Sequence, residues 1–249
     1  MMVLDRFAVL SDIHGNLWAL DAVLADVAAQ GITDIVNLGD ILSGPLKPRE
    51  TAERLMPLQL PTIRGNHERQ LLACADEPGG AADQFAYEAI TPEQRAWLAG
   101  LPVGLMLGDV QLSHGIPGDD MTYLLDEIVA ERLVLTHPDR VETRLGGRDP
   151  HATLLLCGHS HQPRALVLDD GLLIVNPGSV GLPAYDDENG GFHRSETGCP
   201  HASYAVCERG THGWNVALHR VAYDWHAAAK CALANDSADW ASWLASGFA

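Results

Sequence analysis

The sequence predicts an α/β (α+β) fold on three observations. Within residues 1–65, short apolar runs alternate with a helix of regular apolar spacing. Hairpin signals recur in the middle and again in the last third. No linker poor in apolar residues divides the 249 residues, 47% of which are hydrophobic, so one unit spanning 1–249 is expected.

The elements follow in order. Phe7-Ala8-Val9-Leu10 ends in Ser11-Asp12 and reads as a buried strand. Leu17, Leu20, Leu24 and Val27 recur at helical spacing, and Gly31 supplies the stop. Ile35 to Leu38 reads as a second strand, ending at Gly39-Asp40, with a short helix near Arg49 to Met56 after it. Thr62-Ile63-Arg64 reads as a third, ending at Gly65-Asn66-His67. Val103 to Leu107 and Val110 to Ser113 flank Gly108-Asp109 as a hairpin, and a helical stretch is expected from Leu124 to Leu135. Leu154 to Cys157 is an apolar strand running into Gly158-His159-Ser160-His161. Ala165 to Leu168 with Leu172 to Val175, and Ser203 to Cys207 with Trp214 to Leu218, form two further pairs. The stretch 183–200 is dense in Gly, Asp and Glu and reads as a long irregular surface loop, part of a site rim. A C-terminal helix is expected from about residue 225; Trp240, Leu244 and Phe248, four apart on it, mark a face packed on a sheet or the seam of a homo-oligomer.

Composition narrows the function. With 33 acidic against 16 basic residues the formal charge is −17, which opposes stable nucleic-acid binding or docking on an anionic membrane. Five cysteines without C-x-x-C spacing give neither a disulfide framework nor a cysteine zinc site. Asp5 and Arg6 interrupt any signal-type apolar stretch, so a cytoplasmic protein is expected.

Twelve histidines in so acidic a chain direct attention to metal chemistry. Residues able to bind metal stand just after apolar strands: Asp12 and His14, Asp40, Asn66 and His67, His114, then His159 and His161. Strand ends on one edge of an α/β sheet are where ligands bind, and an oxygen–imidazole donor set without thiolate suits Mn, Fe, Zn or Ni. On an extended segment, residues two apart point the same way, so Asp12 and His14 can approach one ion, and His159 and His161 can serve two neighbours. Asp40, with two carboxylate oxygens, can bridge a pair of ions. Taken singly, Asp12 reads as a helix cap, and His14 or His114 would more often be a loop histidine than a ligand. Caps and loop histidines do not account for the five sites occurring together. His137, His151, His193, His201, His212, His219 and His226 lack partner spacing and read as surface or packing residues.

Asp12-Ile13-His14, Gly39-Asp40, Gly65-Asn66-His67-Glu68, Ser113-His114-Gly115 and Gly158-His159-Ser160-His161 resemble, in order, the five motifs of calcineurin-like metallophosphoesterases. Asn176-Pro177-Gly178-Ser179-Val180-Gly181 resembles a loop of the small bacterial branch related to diadenosine tetraphosphatase-like phosphoesterases. The resemblance implies a four-layer α/β/β/α sandwich, two mixed sheets flanked by helices, with a dinuclear centre at the strand ends. It implies that Asp12, His14 and His161 hold one divalent transition-metal ion, that Asn66, His114 and His159 hold another, and that Asp40 bridges them. Manganese is expected first, with iron, zinc or nickel as alternatives. His67 would donate a proton to the leaving alkoxide, and a metal-bridging hydroxide would attack phosphorus. The implied activity is hydrolysis of P–O bonds in a small phosphorylated substrate: a phosphodiester, a phosphomonoester or a dinucleoside polyphosphate.

Two departures stand out against the protein phosphatases of this family. Gly44 stands where their phosphate-clamping Arg would be, and Ser43 where the Asp that steadies the catalytic His would be. Arg64 and Arg194 are the remaining candidates for binding phosphate. The runner-up reading is a non-catalytic scaffold that binds a protein partner, which the intact ligand set and His67 oppose.

Overall fold

Alternation along Phe7-Ala8-Val9-Leu10 divides its side chains between two cores, and this division organises the molecule. The computed structural model describes residues 4–249. Strand β1 (Arg6–Leu10) leads into helix α1 (Leu17–Ala29), capped by the Asn16 side chain, which accepts from the Ala19 N–H at 3.2 Å. α1 buries Ala19, Leu20, Val23, Leu24 and Val27 on one face, and β2 (Asp34–Asn37) then pairs parallel with β1, Leu10 opposite Asn37. α2 (Pro48–Leu55) begins on a proline, whose missing N–H costs nothing in a first turn.

The third strand expected at Thr62 to Arg64 is reduced to one parallel bridge between Asn37 and Thr62. Asn37 N–H donates to Pro61 O and Ile63 N–H to Asn37 O, after which the Arg64 N–H turns away to Pro102 O. Three helices not expected from the sequence follow: α3 (Asn66–Ala73), α4 (Ala81–Ala89) and α5 (Pro92–Ala99). α5 starts with a reciprocal Thr91–Gln94 capping box.

β3 (Gly104–Leu107) and β4 (Val110–Ser113) form the expected hairpin. The helix expected from Leu124 to Leu135 is instead a second hairpin, β5 (Asp126–Val129) and β6 (Arg132–Leu135). Its two-residue turn is Ala130-Glu131, both in the left-handed region with φ of 48° and 61°. Neither residue is a turn former, so local chemistry favours helix there and pairing across the sheet overrides it. Then come α6 (Pro138–Thr143), β7 (Leu154–Leu156), β8 (Arg164–Val167) and β9 (Leu173–Asn176).

The stretch 183–200 is not an irregular loop: β10 (Ala184–Asp187) pairs antiparallel with β11 (His193–Glu196), and β11 meets β6 at Arg194–Arg132. The long pair β12 (Ala202–Gly210) and β13 (Gly213–Val221) follows. The expected single C-terminal helix is two, α7 (Trp225–Ala234) and α8 (Ala238–Ser246), separated where Asp236 takes φ of 58°.

Three mixed sheets result, one more than expected: β13-β12-β1-β2, β3-β4-β7-β9-β8 and the small β10-β11-β6-β5. The first two pack face to face through Phe7, Val9, Val36 and Cys207 on one side and Val110, Leu112, Leu154, Leu156 and Val175 on the other. The outer face of the first sheet, with Ala8, Leu10, Tyr204 and Val206, is covered by α1, α2 and α5. The outer face of the second, with Leu155, Cys157 and Ile174, is covered by Leu124, Leu125 and Val141 of α6. This gives the layered α/β/β/α sandwich, its fourth layer thin. α7 lies against α1 and α8 against β10 of the small sheet, and Ala228, Ala232, Ala241 and Leu244 bury against Leu46 and Leu182, beside the strand ends. Among the described residues no helix is long and apolar enough to cross a membrane.

Candidate metal centre

The parallel strands of both sheets deliver the site. β1 and β2 in one sheet and β4 and β7 in the other end at Asp12, Asp40, His114 and His159, and both carboxyl edges open on the same space. The backbone there is not extended, as the spacing argument assumed. Asp12, His14, Asp40, His159 and His161 all sit in the left-handed region, with φ between 52° and 67°. Such positions cost roughly 1–3 kcal/mol each and persist only where surrounding bonds over-determine them.

Those bonds are present. Asp12 N–H donates to Gly39 O, His14 N–H to Asp40 O and Gly15 N–H to Ile41 O, at 2.9–3.0 Å. The buried Glu68 carboxylate accepts from three N–H groups, Asp40, Ile41 and Gly65, at 2.7–2.8 Å. Burial and the neighbouring Asp40 push Glu68 up to about 7. From the far side, Ser179 Oγ donates to Asp12 O, and Asn176 Nδ2 donates to Gly158 O and Ser160 Oγ. Gly65 is required because a Cβ there would run into Asp40 Oδ1 and lie 2.8 Å from His114 Nδ1.

Two groups of donors converge, Asp12 with His14 and His161, and Asp40 with His114 and His159, their ligand atoms within 4.8 Å of one another. Each imidazole is oriented through its other nitrogen. His14 Nδ1 donates to Ser43 O, His161 Nδ1 to Leu182 O and His114 Nδ1 to Leu38 O, each at 2.8 Å, while His159 Nε2 donates to Met121 O at 3.1 Å. His14 Nε2 and His161 Nε2 are thereby left facing each other at 3.1 Å. Two lone pairs at that distance need a shared cation. Asn66 aims Oδ1 at His114 Nε2, 3.1 Å away, and Asp40 Oδ2 lies equally close to the same nitrogen. Asp12 Oδ2 is buried with no partner at all. An orphaned carboxylate oxygen among imidazoles is the environment a divalent cation satisfies, so the residues present fit the metals.

Charge is distributed unevenly. Burial pushes His14 down to about 3 and His159 to about 4, which keeps their lone pairs free. Burial opposes protonation of His114 too, but Asp40 and Asp12 carry it up to about 10. Burial would raise Asp40, yet His114 and His67 hold it well below the usual carboxylate range.

His67 stands at the mouth, its ring centroid 5.3 Å from that of His14. Its N–H donates to Asp40 Oδ1 at 2.9 Å, so Oδ2 is the Asp40 oxygen turned fully to the donor cluster. Its ring is held by a residue that sequence reasoning missed: Nδ1 donates to Asp83 Oδ1 at 2.9 Å. Asp83 lies on α4 and is buried. Against the cost of burial, Asp40 and Asp83 raise His67 to about 9. No local signal identifies Asp83, since an Asp in the first turn of a helix reads as a dipole partner.

Neither phosphate-binding candidate lines the cavity of about 270 Å³ on which His14, Asp40, Asn66, His159 and His161 open. Arg64 lines a neighbouring cavity of about 310 Å³ that it shares with the donor His114 and with Arg69, Asp119 and Asp120, and Arg194 stacks over Phe192 and pairs with Glu131 at 3.6 Å. His193, expected as a packing or surface residue, is fully buried and donates or accepts with Tyr123 Oη at 2.8 Å. Tyr185 Oη donates to His159 O at 3.1 Å, and its ring meets that of His161.

Residues 6–197 match the calcineurin-like phosphoesterase superfamily domain. An uncharacterized protein of Methanocaldococcus jannaschii is 28% identical over 96% of each chain. The crystal structure of a metallophosphoesterase from Sphaerobacter thermophilus is 26% identical, covers 97% of this chain and 99% of its own, and superposes with a TM-score of 0.75. A structure provisionally assigned as a diadenosine tetraphosphatase shares the fold at 18% identity, with a TM-score of 0.53 over 87% of this chain and 94% of its own.

Proposed function

The chain belongs to the calcineurin-like phosphoesterase superfamily and is a hydrolase of phosphoric esters; from that premise we propose that it cleaves a small phosphorylated substrate at a pair of divalent ions, manganese first among them. Asp12, His14 and His161 would hold one ion, Asn66, His114 and His159 the other, and Asp40 would serve both. When bound, such a pair activates water for attack and neutralises charge developing on phosphorus.

The chain's own residues supply the rest. His67 presents Nε2 to the cavity because Nδ1 is committed to Asp83. Asp40 and Asp83 keep it protonated at neutral pH, the state needed to hand a proton to a leaving alkoxide. Glu68 and the Asn176–Gly181 loop hold the ligand-bearing turns rigid, so little reorganisation is left for the reaction itself.

The observation that carries this reading is the convergence of two buried donor groups with a carboxylate-held histidine at their mouth. The test combines elemental analysis of protein loaded with Mn, Fe, Zn or Ni with hydrolysis of bis(p-nitrophenyl) phosphate and p-nitrophenyl phosphate. Two ions per chain and turnover are expected, with Asp40→Asn losing both. Fully loaded protein inert toward every phosphoester would refute the proposal.

A further inference from the structure

One wall of the cavity comes from the last helix, α8, outside the segment 6–197 that matches the superfamily domain. Trp240 and Trp243 on α8 line the 270 Å³ cavity and are only partly buried. The Trp240 ring meets His14 edge-on, centroids 5.9 Å apart, so its indole lies directly beside the donor cluster. Its far edge rests on backbone: a Cβ on Gly44 would sit 3.0 Å from Cη2 and Cζ3 of that indole. The ring is therefore seated rather than loose, and what it offers the cavity is a flat apolar face.

The charge around this cavity is equally one-sided. Among the described residues no lysine or arginine lines it; beyond the metal donors its charged groups are Asp186, Asp187 and His67, whose Nδ1 is paired with Asp83 at 2.9 Å. The nearby Arg69 is committed to Asp120 at 2.6 Å. A phosphomonoester carries about −1.5 to −2 charges at neutral pH, and every further phosphate adds more. Charge extending beyond the metal donors would meet two carboxylates, and the one cation there, His67, is already balanced by Asp83. A diester carries a single negative charge, which the metal side can absorb alone. Its flat ester group would find the indole, since aromatic faces stack with rings irrespective of sequence or substituent.

We infer that the substrate of this site is a monoanionic phosphodiester with a flat aromatic group laid against Trp240, in preference to a phosphomonoester dianion or a polyphosphate. This deepens the phosphoesterase reading and rests on it. The flat group can be an aryl ring or a nucleobase; the recognition chemistry is the same.

The test uses the full chain loaded with Mn²⁺. Dimethyl phosphate and diphenyl phosphate, both monoanions, are compared as competitive inhibitors of bis(p-nitrophenyl) phosphate hydrolysis. Diphenyl phosphate is expected to bind about tenfold tighter or more, Trp240→Ala to remove most of that advantage, and Trp240→Phe to keep most of it. In kcat/KM, bis(p-nitrophenyl) phosphate is expected to exceed p-nitrophenyl phosphate by about tenfold or more, and Asp186→Lys to narrow the gap most at low salt. A lower KM for thymidine 5′-(p-nitrophenyl phosphate) than for bis(p-nitrophenyl) phosphate would assign the group as a base, and a higher one as an aryl ring. Faster hydrolysis of p-nitrophenyl phosphate, or an inhibitor ratio untouched by Trp240→Ala, overturns the inference while leaving the phosphoesterase reading intact. Quenching of tryptophan fluorescence by diphenyl phosphate follows binding without turnover. If no ester is hydrolysed but Trp240→Ala still weakens that binding tenfold, the phosphoesterase reading fails and the aromatic subsite stands.

Discussion

His67 depends on a partner 16 residues away in sequence, and the dependence is specific enough to measure. Asp83 accepts the Nδ1–H, which leaves Nε2 uncommitted and stabilises the protonated ring. Asp83→Asn keeps a group of the same size but removes the charge. A loss of about 10–100-fold in kcat is expected, the range for removing a partner that orients a functional imidazole, below the roughly 10²–10⁴-fold that a positioned proton donor itself supplies. Because the Asp83 carboxylate raises His67, its removal shifts the alkaline limb of the pH–kcat profile to lower pH, while metal content stays at the wild-type value. An unshifted limb would show that Asp83 only packs. The identity of His67 and the seven donor residues is visible in the sequence because short motifs carry them. Asp83 is not, because its role is created by where α4 lies.

At the scale of elements, the β10–β11 hairpin illustrates what pairing decides. Read alone, 183–200 has the composition of a loop, and a loop on the rim could be removed with little effect on metal. The folded hairpin is tied into the ligand turns: Tyr185 Oη donates to His159 O, and Ser195 Oγ donates to Ser160 O at 2.7 Å. Deleting 183–200 is therefore expected to lose metal as well as activity, measured by elemental analysis after gel filtration. Trimming only the turn 188–191, whose residues are mostly exposed, is expected to leave metal content unchanged. Retention of both ions by the large deletion would show that the ligand turns hold themselves. The β5–β6 hairpin was hidden for a related reason. Ala130 and Glu131 favour helix, and the strand is fixed by the antiparallel ladder of β6 on β5, joined at its end by β11.

For the whole molecule, the two facing sheets and the donor cluster at their common edge form one cooperative arrangement. Ions bound at that edge stabilise the folded chain and not the unfolded one. At free Mn²⁺ a hundredfold above Kd, one site is worth about 2.7 kcal/mol, and in a chain of this size each kcal/mol moves Tm by about 2–4 °C. Chelation is thus expected to lower Tm by about 5–10 °C per site, reversibly, with Asp40→Asn showing a much smaller shift by calorimetry. An identical Tm with and without chelator would mean that no ion binds the folded state selectively.

The sequence by itself determined the strand–helix–strand opening, the hairpins with glycine turns, and the identity of the residues that line the strand ends. These are local facts, set by periodicity, turn chemistry and short motifs. Only the tertiary structure decided that His67 is held by Asp83, that Arg64 and Arg194 do not line the 270 Å³ cavity, that the 183–200 hairpin is tied to the His159 and Ser160 turn, and that Trp240 walls the cavity. These placements depend on how separate elements pack, the two sheets and the last helix above all, which no window of local sequence encodes.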